Sequence, residues 1–455
     1  MKNSKQGGQD LAGHKADQKV DHRVEQKAGH LADHKADHLA APQVEQGKLN
    51  YPRTFLIGFG FFASSLIWSL YNSFVPLILG DFIESTAIIG FIMTVDNIFG
   101  VIFQPYFGSL SDRTKTRWGQ RMPYILLAAP VSALFFFLIP QMPSLWLLMA
   151  VIVIFNFSMS VWRSPMISLM PDLTPNPHWS RANGVINLMG GVGSIVAFLI
   201  GGRIANAYGR GASFAMGSLV TMLAVIILAA TIKENRLKAQ LGFDHALGKD
   251  ADDQPHLSSF TKLPAQDRHK LLALLLAIFF WFCAYNAVET FFTSFATNDL
   301  GLSEGTGAMT LSFFSLSFVI FAIPSGLLAS KIGRERAIII GLVGLILVFL
   351  PINFVMNLWA IRILLLIGGF FWALININSL PMVLSLGKRE AIGTYTGYYY
   401  FFSFSAAIAS PILFGAIRDL TQDYGSLFIY APICFALALA SILTYDRLAK
   451  KALKV

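Results

Sequence analysis

The sequence predicts an all-α integral membrane protein of about twelve transmembrane helices, arranged as two six-helix bundles. Its 455 residues are 55% hydrophobic and only 13% charged, whereas a soluble domain carries about 25% charged residues. About twelve apolar stretches reach the roughly 20 residues that a helix needs to cross a bilayer. A polar stretch over 233–268 divides them into two sets of six, which is an internal repeat at the level of topology.

The predicted spans follow one another through short loops in each half. The first six cover 53–79, 87–111, 122–141, 144–171, 183–203 and 212–232, and the second six cover 269–297, 306–330, 336–356, 359–386, 391–417 and 425–445. The chain therefore divides into five predicted regions. They are a disordered low-complexity tail (1–50), an N-terminal bundle (51–232), a central loop (233–268), a C-terminal bundle (269–446) and a C-terminal tail (447–455).

Charge in the loops predicts the orientation in the membrane. Lysine and arginine collect in the loops after the second, eighth and tenth spans, in the central loop and at the C-terminus. The loops after the first, third, seventh and ninth spans have none. By the positive-inside tendency, we expect a multi-pass protein of the cell membrane with both termini, the central loop and the loop after span two in the cytoplasm. Arg203 and Arg210, near the predicted outer side, run against this trend.

Composition also bears on partners and cofactors. The net charge of +9 is compatible with nucleic-acid binding, but the basic residues stand at the edges of apolar runs, which suits an anionic lipid surface instead. Cys283 and Cys434 lie inside apolar spans, so we expect neither a disulfide nor a metal site from them. The sequence has no Ser-His-Asp or HExxH pattern, which argues against a membrane-embedded enzyme. We expect no metal, no cofactor and a monomer surrounded by lipid.

The N-terminal tail repeats a four-residue unit from His14 onward, HKAD-QKVD-HRVE-QKAG-HLAD-HKAD-HLA. A period of four drifts against the 3.6-residue turn of an α-helix, so no stable apolar face would form. His30, His34 and His38 stand one turn apart and would be able to bind a divalent metal on a helix. A solvated low-complexity tail is the favoured interpretation.

The densest charge lies in the loop after the second span, within GSLSDRTKTRWGQRMPY at 108–124. A glycine at its start permits close approach of a neighbouring helix, an aspartate would accept hydrogen bonds at a helix end, and the basic residues would pair across to the other half. We expect these side chains to form a gate on the cytoplasmic side, with topology-setting positive charge as the alternative. The predicted gate residues are Gly108, Asp112, Arg113, Arg117 and Arg121.

The spacing of Gly108, Asp112, Arg113 and Arg117 resembles the G-x-x-x-D-R-x-x-x-R loop signature of the major facilitator superfamily. The longer block FQPYFGSLSDRTKTRWGQRMPY is similar to that of its sucrose-transporter-like branch and of the related glycoside–cation symporters. WRSPMISLMPDLTPNPHWSRANGVINLMGGVG and WFCAYNAVETFF resemble bacterial members of that branch, and the likeness extends over most of 52–446. This resemblance implies the major facilitator fold and proton-coupled uptake of a disaccharide or glucoside, such as maltose or sucrose, by alternating access.

The chain departs from that branch at several positions. Sodium-using glycoside symporters carry carboxylates around the second span where this chain has Gly100 and Gln104, so a sodium cage of that type would be incomplete. Plant-type sucrose transporters have an aspartate that aligns with Asn156 and an arginine that aligns near Ile167. This chain offers Arg163 instead, one turn earlier on the same helical face.

Ionisable residues in the middle of a span are costly and are therefore candidates for proton transfer. Asp96 stands in the second predicted span, Arg163 in the fourth and Glu289 in the seventh. We expect these three residues to carry proton coupling, with Asp96 and Arg163 as a switched pair; a permanent structural ion pair is the alternative. Four further aspartates stand at span ends and are predicted to be caps or latches, namely Asp112, Asp172, Asp299 and Asp419.

Sugar recognition requires amide and hydroxyl partners together with an aromatic face. In the superfamily that the chain resembles, the first, fourth, seventh and tenth spans line the cavity, and all four carry polar residues in their middle here. The predicted substrate-binding residues are Trp68, Tyr71, Asn72, Asn156, Tyr285, Asn286, Trp372, Asn376 and Asn378.

Two other functions remain open from the sequence. A facilitator or exporter of a drug or peptide with the same fold would not need a pair of carboxylates in its spans. A non-transporting sugar sensor would keep the fold and would tolerate Asp96→Asn without loss of sugar binding.

Overall fold

A computed structural model describes residues 49–175, 178–240, 265–386 and 392–452. Within them lie twelve helices that are long and apolar enough to cross a membrane. We number them α1 (Tyr51–Gly80), α2 (Thr86–Arg113), α3 (Met122–Gln141), α4 (Leu145–Asp172), α5 (Arg181–Tyr208), α6 (Arg210–Thr231), α7 (Asp267–Asn298), α8 (Glu304–Ile332), α9 (Arg334–Phe354), α10 (Leu358–Leu384), α11 (Thr394–Thr421) and α12 (Tyr424–Lys450). The predicted fold class is confirmed, and the predicted ends of the spans lie within five residues of these bounds.

Several predicted features lie wholly or mostly outside the described residues. These are the repeat tail with His30, His34 and His38, and the central loop over 241–264. The described part of that loop contains the short helix Glu234–Gln240. The last helix continues to Ala452, so the first residues of the predicted C-terminal tail are helical.

The helices pack as two bundles, α1–α6 and α7–α12. In the first, α1 packs against α5 and α6, and α4 packs against α2 and α3; in the second, α7 packs against α11 and α12, and α10 packs against α8 and α9. Among the described residues, the main contacts between the bundles are those of α2 with α11, α5 with α8, and α1 with α7. Because each helix satisfies its own backbone hydrogen bonds, the bundles meet through side chains and close glycine contacts.

An even number of spans places both ends of the membrane domain on one side. We call this the terminal side, which also contains the loop over 114–121, and the opposite side the distal side. At the distal ends, Asn206 Nδ2 donates to Thr306 Oγ1 at 3.0 Å, and Arg210 pairs with Glu304 at 3.5 Å across the two bundles. Arg210 also pairs with Asp81. This arginine, which runs against the charge trend, therefore links the two bundles on the distal side.

The loop over 114–121 is held within the N-terminal bundle. Arg121 is only 6% exposed. Its guanidinium pairs with Asp112 and Ser111, and its Nε donates to Asp172 Oδ2 at 2.9 Å. These partners bring together the ends of α2, α3 and α4 on the terminal side, and all of them belong to the same bundle.

In this conformation the described contacts of the expected gate residues lie within their own bundle, and their role as a gate stays a prediction. Arg113 and Arg117 are exposed, and the Arg117 guanidinium stacks over the Trp118 ring at 5.0 Å from its centroid. The Asp112 carboxylate is occupied by Arg121. Because a buried guanidinium attracts a nearby carboxylate more strongly than an exposed one, Asp112 turns inward to its own bundle in this conformation.

A second set of contacts, which the sequence did not predict, holds the same loop. It involves Glu234, which follows α6. The Glu234 side chain is 0% exposed and accepts hydrogen bonds from the backbone N–H groups of Gln120, Arg121 and Met122 at 3.0, 2.9 and 3.1 Å. Its carboxylate also pairs with Lys238 at 2.9 Å. Gly119 adopts a φ of +118°, and a Cβ there would collide with the Glu234 side chain. The loop and the short helix thus form one rigid cap on the bundle.

We expect Glu234→Ala to destabilise the protein, because three backbone N–H groups lose their acceptor and each buried unsatisfied donor costs about 1–3 kcal/mol. The measurement is the thermal unfolding midpoint in detergent, which should fall by several degrees. Glu84→Ala is the matched control, because Glu84 is an exposed glutamate on the distal side. Equal midpoints for the two variants would contradict this role of Glu234.

A pair of carboxyl groups lies in the distal loops, where Asp299 faces Asp423. Burial and, after it, the hydrogen bond with Asp423 raise the pKa of Asp299 to about 6. Asp423 in turn accepts a hydrogen bond from the Gly425 N–H at 2.7 Å. One proton shared between the two carboxyl groups would relieve their repulsion.

This pair predicts a pH dependence of stability. The pKa of Asp299 lies above its usual value of 3.8, so the folded state binds this proton more tightly than the unfolded chain does. The resulting stability is present below the unfolded-state pKa and is lost as the pH rises through about 6. We expect the unfolding midpoint of the wild type to fall more than that of Asp299→Asn between about pH 5 and about pH 7.5. The same pH dependence of the midpoint in the wild type and in Asp299→Asn would mean that this carboxyl pair does not contribute to the stability.

Candidate functional site in the cavity between the bundles

A cavity of about 250 Å³ lies between the two bundles, near the middle of the helices. Six helices line it: α1, α2, α4 and α5 from the N-terminal bundle, and α7 and α11 from the C-terminal bundle. Its lining is mainly polar, which is unusual for the interior of a membrane protein and typical of a ligand or ion pathway. The lining residues are Ser65, Trp68, Ser69, Asn72, Met93, Asp96, Asn97, Arg163, Ser194, Asn286, Glu289, Thr290, Ala407 and Pro411.

Helix α1 presents a polar stripe to the cavity. Ser65, Trp68, Ser69 and Asn72 follow the i, i+3, i+4, i+7 spacing that puts residues on one face of an α-helix. The stripe places a flat indole between two hydroxyls and an amide.

Asp96 enters the cavity at a break in α2. The helix is interrupted at Thr94, whose hydroxyl donates to the Phe91 carbonyl at 2.7 Å, and Asp96 stands in the first turn of the following segment. Its Oδ1 accepts from the Asn97 backbone N–H at 2.6 Å and from the Asn97 side-chain amide at 2.7 Å. A carboxylate at this position is stabilised by the partial positive charge of the helix N-terminus.

Arg163 shares the cavity with Asp96 but points elsewhere. Its guanidinium lies over the Trp68 ring, 5.6 Å from the centroid, and it acts on Asp96 through longer-range electrostatics. The expected switched pair therefore occupies one cavity, with the arginine held by an aromatic ring in this conformation. A cation over an indole face contributes about 0.5–2 kcal/mol.

Glu289 projects from α7 toward the N-terminal bundle. The Asn72 side chain and the Tyr285 hydroxyl approach its carboxylate, and Glu289 also lies near enough to Asp96 for the two charges to interact. The two carboxyl groups thus face one cavity from different bundles, and the hydrogen-bonding neighbours of Glu289 are neutral.

A second, smaller chamber of about 50 Å³ adjoins the cavity beside Glu289 and Ser194. Its walls are mostly apolar and include Tyr285 and Trp372. These two rings stack with centroids 4.4 Å apart and an interplanar angle of 3°. Tyr285 and Trp372 therefore form an aromatic wall inside the C-terminal bundle rather than a face of the main cavity.

Four further predicted substrate-binding residues belong to the lining of neither chamber. Tyr71 is completely buried and Asn156 is 1% exposed; the Asn156 amide donates to the Tyr71 hydroxyl at 3.3 Å inside the N-terminal bundle. The Asn378 amide donates to the Leu374 carbonyl at 2.9 Å in its own helix. Asn376 is half-buried and belongs to neither cavity lining. The sequence predicts how deep a residue lies in the membrane. It does not predict the direction in which the side chain points from the helix axis.

Conversely, the cavity contains polar residues that the sequence reading missed. They are Ser65, Ser69, Asn97, Ser194 and Thr290. Helical spacing from Trp68 and Asn72 would have identified the two serines of α1, and spacing from Asn286 would have identified Thr290.

Four of the mid-span asparagines form a cavity-lining pair and a buried pair for a test of this geometry. Asn72 and Asn286 line the cavity, whereas Asn156 and Asn378 are 1% and 4% exposed. In a background with Cys283 and Cys434 replaced by alanine, we expect Asn72→Cys and Asn286→Cys to react with a charged methanethiosulfonate at least about tenfold faster than Asn156→Cys and Asn378→Cys. Equal rates for the cavity pair and the buried pair would mean that the cavity lining is different.

Comparison with known proteins agrees with this architecture. The family model for the Major Facilitator Superfamily matches residues 57–411. The isoprimeverose transporter of Lactiplantibacillus pentosus is 29% identical over 191 residues, which is 38% of this chain and 40% of that protein. An uncharacterized symporter of Synechocystis sp. is 27% identical over 199 residues, 41% of this chain and 37% of that protein. The chain therefore matches less than half the length of either relative.

Other similar proteins match over more of the chain. The fosmidomycin resistance protein of Escherichia coli is 23% identical over 84% of this chain and 89% of its own length. Among solved structures, the nucleoside transporter NupG superposes with a TM-score of 0.65 and 15% identity, covering 86% of this chain and 98% of that one. A POT family transporter in complex with 5-aminolevulinic acid gives a TM-score of 0.68 and 11% identity over 89% and 98% of the two chains. These similar proteins are transporters or resistance proteins, and the structural likeness shows the shared fold. With a family model matched over most of its length, the chain belongs to the Major Facilitator Superfamily.

Proposed function

We propose that this transporter couples the movement of protons to the uptake of a disaccharide or a related glucoside. The observation that carries the proposal is the cavity in which Asp96 from one bundle and Glu289 from the other face the same space beside Arg163. A solute that binds there contacts both bundles at once, which is what alternating access requires.

Proton coupling follows from the surroundings of the two carboxyl groups. Asp96 accepts hydrogen bonds from Asn97, and Glu289 is approached by Asn72 and Tyr285, so neutral groups hydrogen-bond to both. A charged carboxylate at membrane depth is costly unless it is paired, hydrated or protonated. Protonation would therefore favour a state in which the cavity is closed from water, and deprotonation would favour a state in which it is open.

Arg163 would link this chemistry to the substrate. Its guanidinium rests on Trp68, the aromatic face at which the apolar surface of a sugar ring would stack. With Asp96 protonated, the guanidinium would stay near Trp68 and donate hydrogen bonds to a sugar bound there. Departure of the sugar would let the guanidinium move toward Asp96, and the resulting ion pair would favour release of the proton to water on the same side. The Arg163–Trp68 contact is thus the proposed connection between sugar binding and proton transfer.

The polar groups of the cavity suit a polyhydroxyl ligand. Ser65, Ser69 and Asn72 lie on α1 and Asn286 on α7, so hydroxyl and amide partners approach from both bundles. A volume of about 250 Å³ suits a small ligand. The similarity to an isoprimeverose transporter adds support for a sugar substrate.

For the orientation, we propose that the terminal side faces the cytoplasm of the cell in which the protein spans the plasma membrane. The loop over 114–121 on that side contains Lys115, Arg117 and Arg121, as the positive-inside tendency predicts. With the distal side fastened, the structure then represents an inward-facing conformation. We further propose that one chain, acting as a monomer in lipid, is sufficient for transport.

The coupling test separates accumulation from exchange in proteoliposomes, with maltose and sucrose as probes. We expect Asp96→Asn and Glu289→Gln each to reduce sugar accumulation driven by a pH gradient by at least about tenfold. Sugar counterflow, which needs no net proton movement, should remain partly intact. Asp267→Asn is the control, because Asp267 is 56% exposed at the terminal end of α7.

The outcomes distinguish the candidate functions. Full pH-driven accumulation by both variants would exclude these carboxyl groups as proton carriers. Absence of counterflow with any sugar, combined with extrusion of a drug, would favour an exporter, which the similarity to the fosmidomycin resistance protein makes the second candidate. Sugar binding without counterflow would indicate a sensor.

A further inference from the structure

Asp419, at the distal end of α11, makes an unusual set of contacts across the two bundles. Its Oδ1 accepts a hydrogen bond from the backbone N–H of Thr86 at 2.7 Å. Its Oδ2 accepts from the backbone N–H of Ala87 at 3.0 Å and from the Ser85 hydroxyl at 2.6 Å. A carboxylate of the C-terminal bundle therefore caps the first turn of α2, a helix of the N-terminal bundle.

This position is favourable for a negative charge. The first N–H groups of a helix have no partner within the helix, and the helix dipole concentrates partial positive charge there. A capping residue usually comes from the same chain segment, but the bond from the Ile88 N–H to the Ser85 hydroxyl is long, at 3.4 Å. Asp419 thus supplies the stronger acceptor, from more than three hundred residues further along the chain.

The helices around this contact fit together only through glycine. A Cβ at Gly90 would collide with the Pro411 backbone, and a Cβ at Gly415 would collide with the backbone of Thr86 and Ala87. From the hydrogen bonds inward, the seam between α2 and α11 is therefore backbone against backbone. A separation of the distal ends would remove the partners of Asp419 together with this packing.

We propose that Asp419 is a positioning residue that stabilises the distal-closed state of the transporter. Its three hydrogen bonds exist only while the distal ends of α2 and α11 touch, so they stabilise that state relative to a distal-open one. Because α2 also carries Asp96 about three turns further along, the capped helix is the one that presents a proposed proton carrier to the cavity. This inference rests on alternating access and is independent of the identity of the solute.

A separate set of ion pairs also joins the bundles on the distal side. Arg210 joins Asp81 and Glu304 on the distal side, between α6, α1 and α8. Loss of the Asp419 carboxylate should therefore change the balance between two conformations rather than abolish folding.

The test measures the opening of each side with pairs of spin labels and double electron–electron resonance. For the distal side, labels replace the exposed residues Glu84 and Gln422; for the terminal side, they replace the exposed residues Lys115 and Lys331. Cys283 and Cys434, which are buried and free, are replaced by alanine. The samples contain neither sugar nor a pH gradient.

In Asp419→Ala and Asp419→Asn, we expect the distal label pair to gain a longer distance, with the ratio of open to closed molecules raised about tenfold. The terminal pair should become shorter at the same time, because the bundles rock as units. Asp419→Glu should restore most of the wild-type distribution, since it keeps the charge.

Asp423→Asn is the matched control, because Asp423 lies at the same distal end but caps Gly425 within its own bundle. It should leave both distances unchanged. Wild-type distances in folded Asp419→Ala would overturn the proposal, as would an equal shift in Asp423→Asn. Because no substrate is present, either result leaves the proposed sugar–proton coupling to be judged by its own test.

Discussion

A carboxyl group inside a membrane protein must find a hydrogen-bond donor, a positive charge, water or a proton, and this requirement organises the interface between the two bundles. Asp96 and Glu289 enter a shared cavity, each with neutral hydrogen-bond donors beside it. Arg163, the one guanidinium among the described residues that line the cavity, lies over Trp68 rather than in an ion pair. The ionisable groups are therefore held close to one another without being neutralised in pairs.

Charged residues make contacts between the bundles on the distal side and contacts within one bundle on the terminal side. On the distal side, hydrogen bonds and ion pairs run from one bundle to the other through Asp419 and Arg210. On the terminal side, Arg121 and Glu234 bind groups of their own bundle and make the loop over 114–121 part of a rigid body. This difference explains how one conformation is stabilised: inter-bundle contacts must break for the distal side to open, whereas contacts inside a bundle move with it.

Membrane depth and side-chain direction are separate properties, and the asparagines illustrate this. All of the asparagines predicted to bind substrate stand within predicted spans. Asn72 and Asn286 line the cavity, whereas Asn156 and Asn378 form hydrogen bonds inside their own bundles. Mid-span polarity identifies residues that need a partner. Whether that partner is a neighbouring helix or the cavity depends on the rotation of the helix about its axis, and twelve such rotations are settled jointly by packing.

The sequence by itself determined the fold class, the approximate ends of all twelve helices and the choice of Asp96, Arg163 and Glu289 as ionisable groups in the middle of the spans. These features depend on local hydrophobicity, because the bilayer favours long apolar stretches and disfavours each charged residue within them. Only the tertiary structure decided that Arg163 stacks on Trp68, that Asp112 turns to Arg121 within its own bundle, and that Asp419 caps a helix of the other bundle. Each of these contacts joins residues on different helices, and the spacing along the chain carries no information about which helix ends meet across the interface.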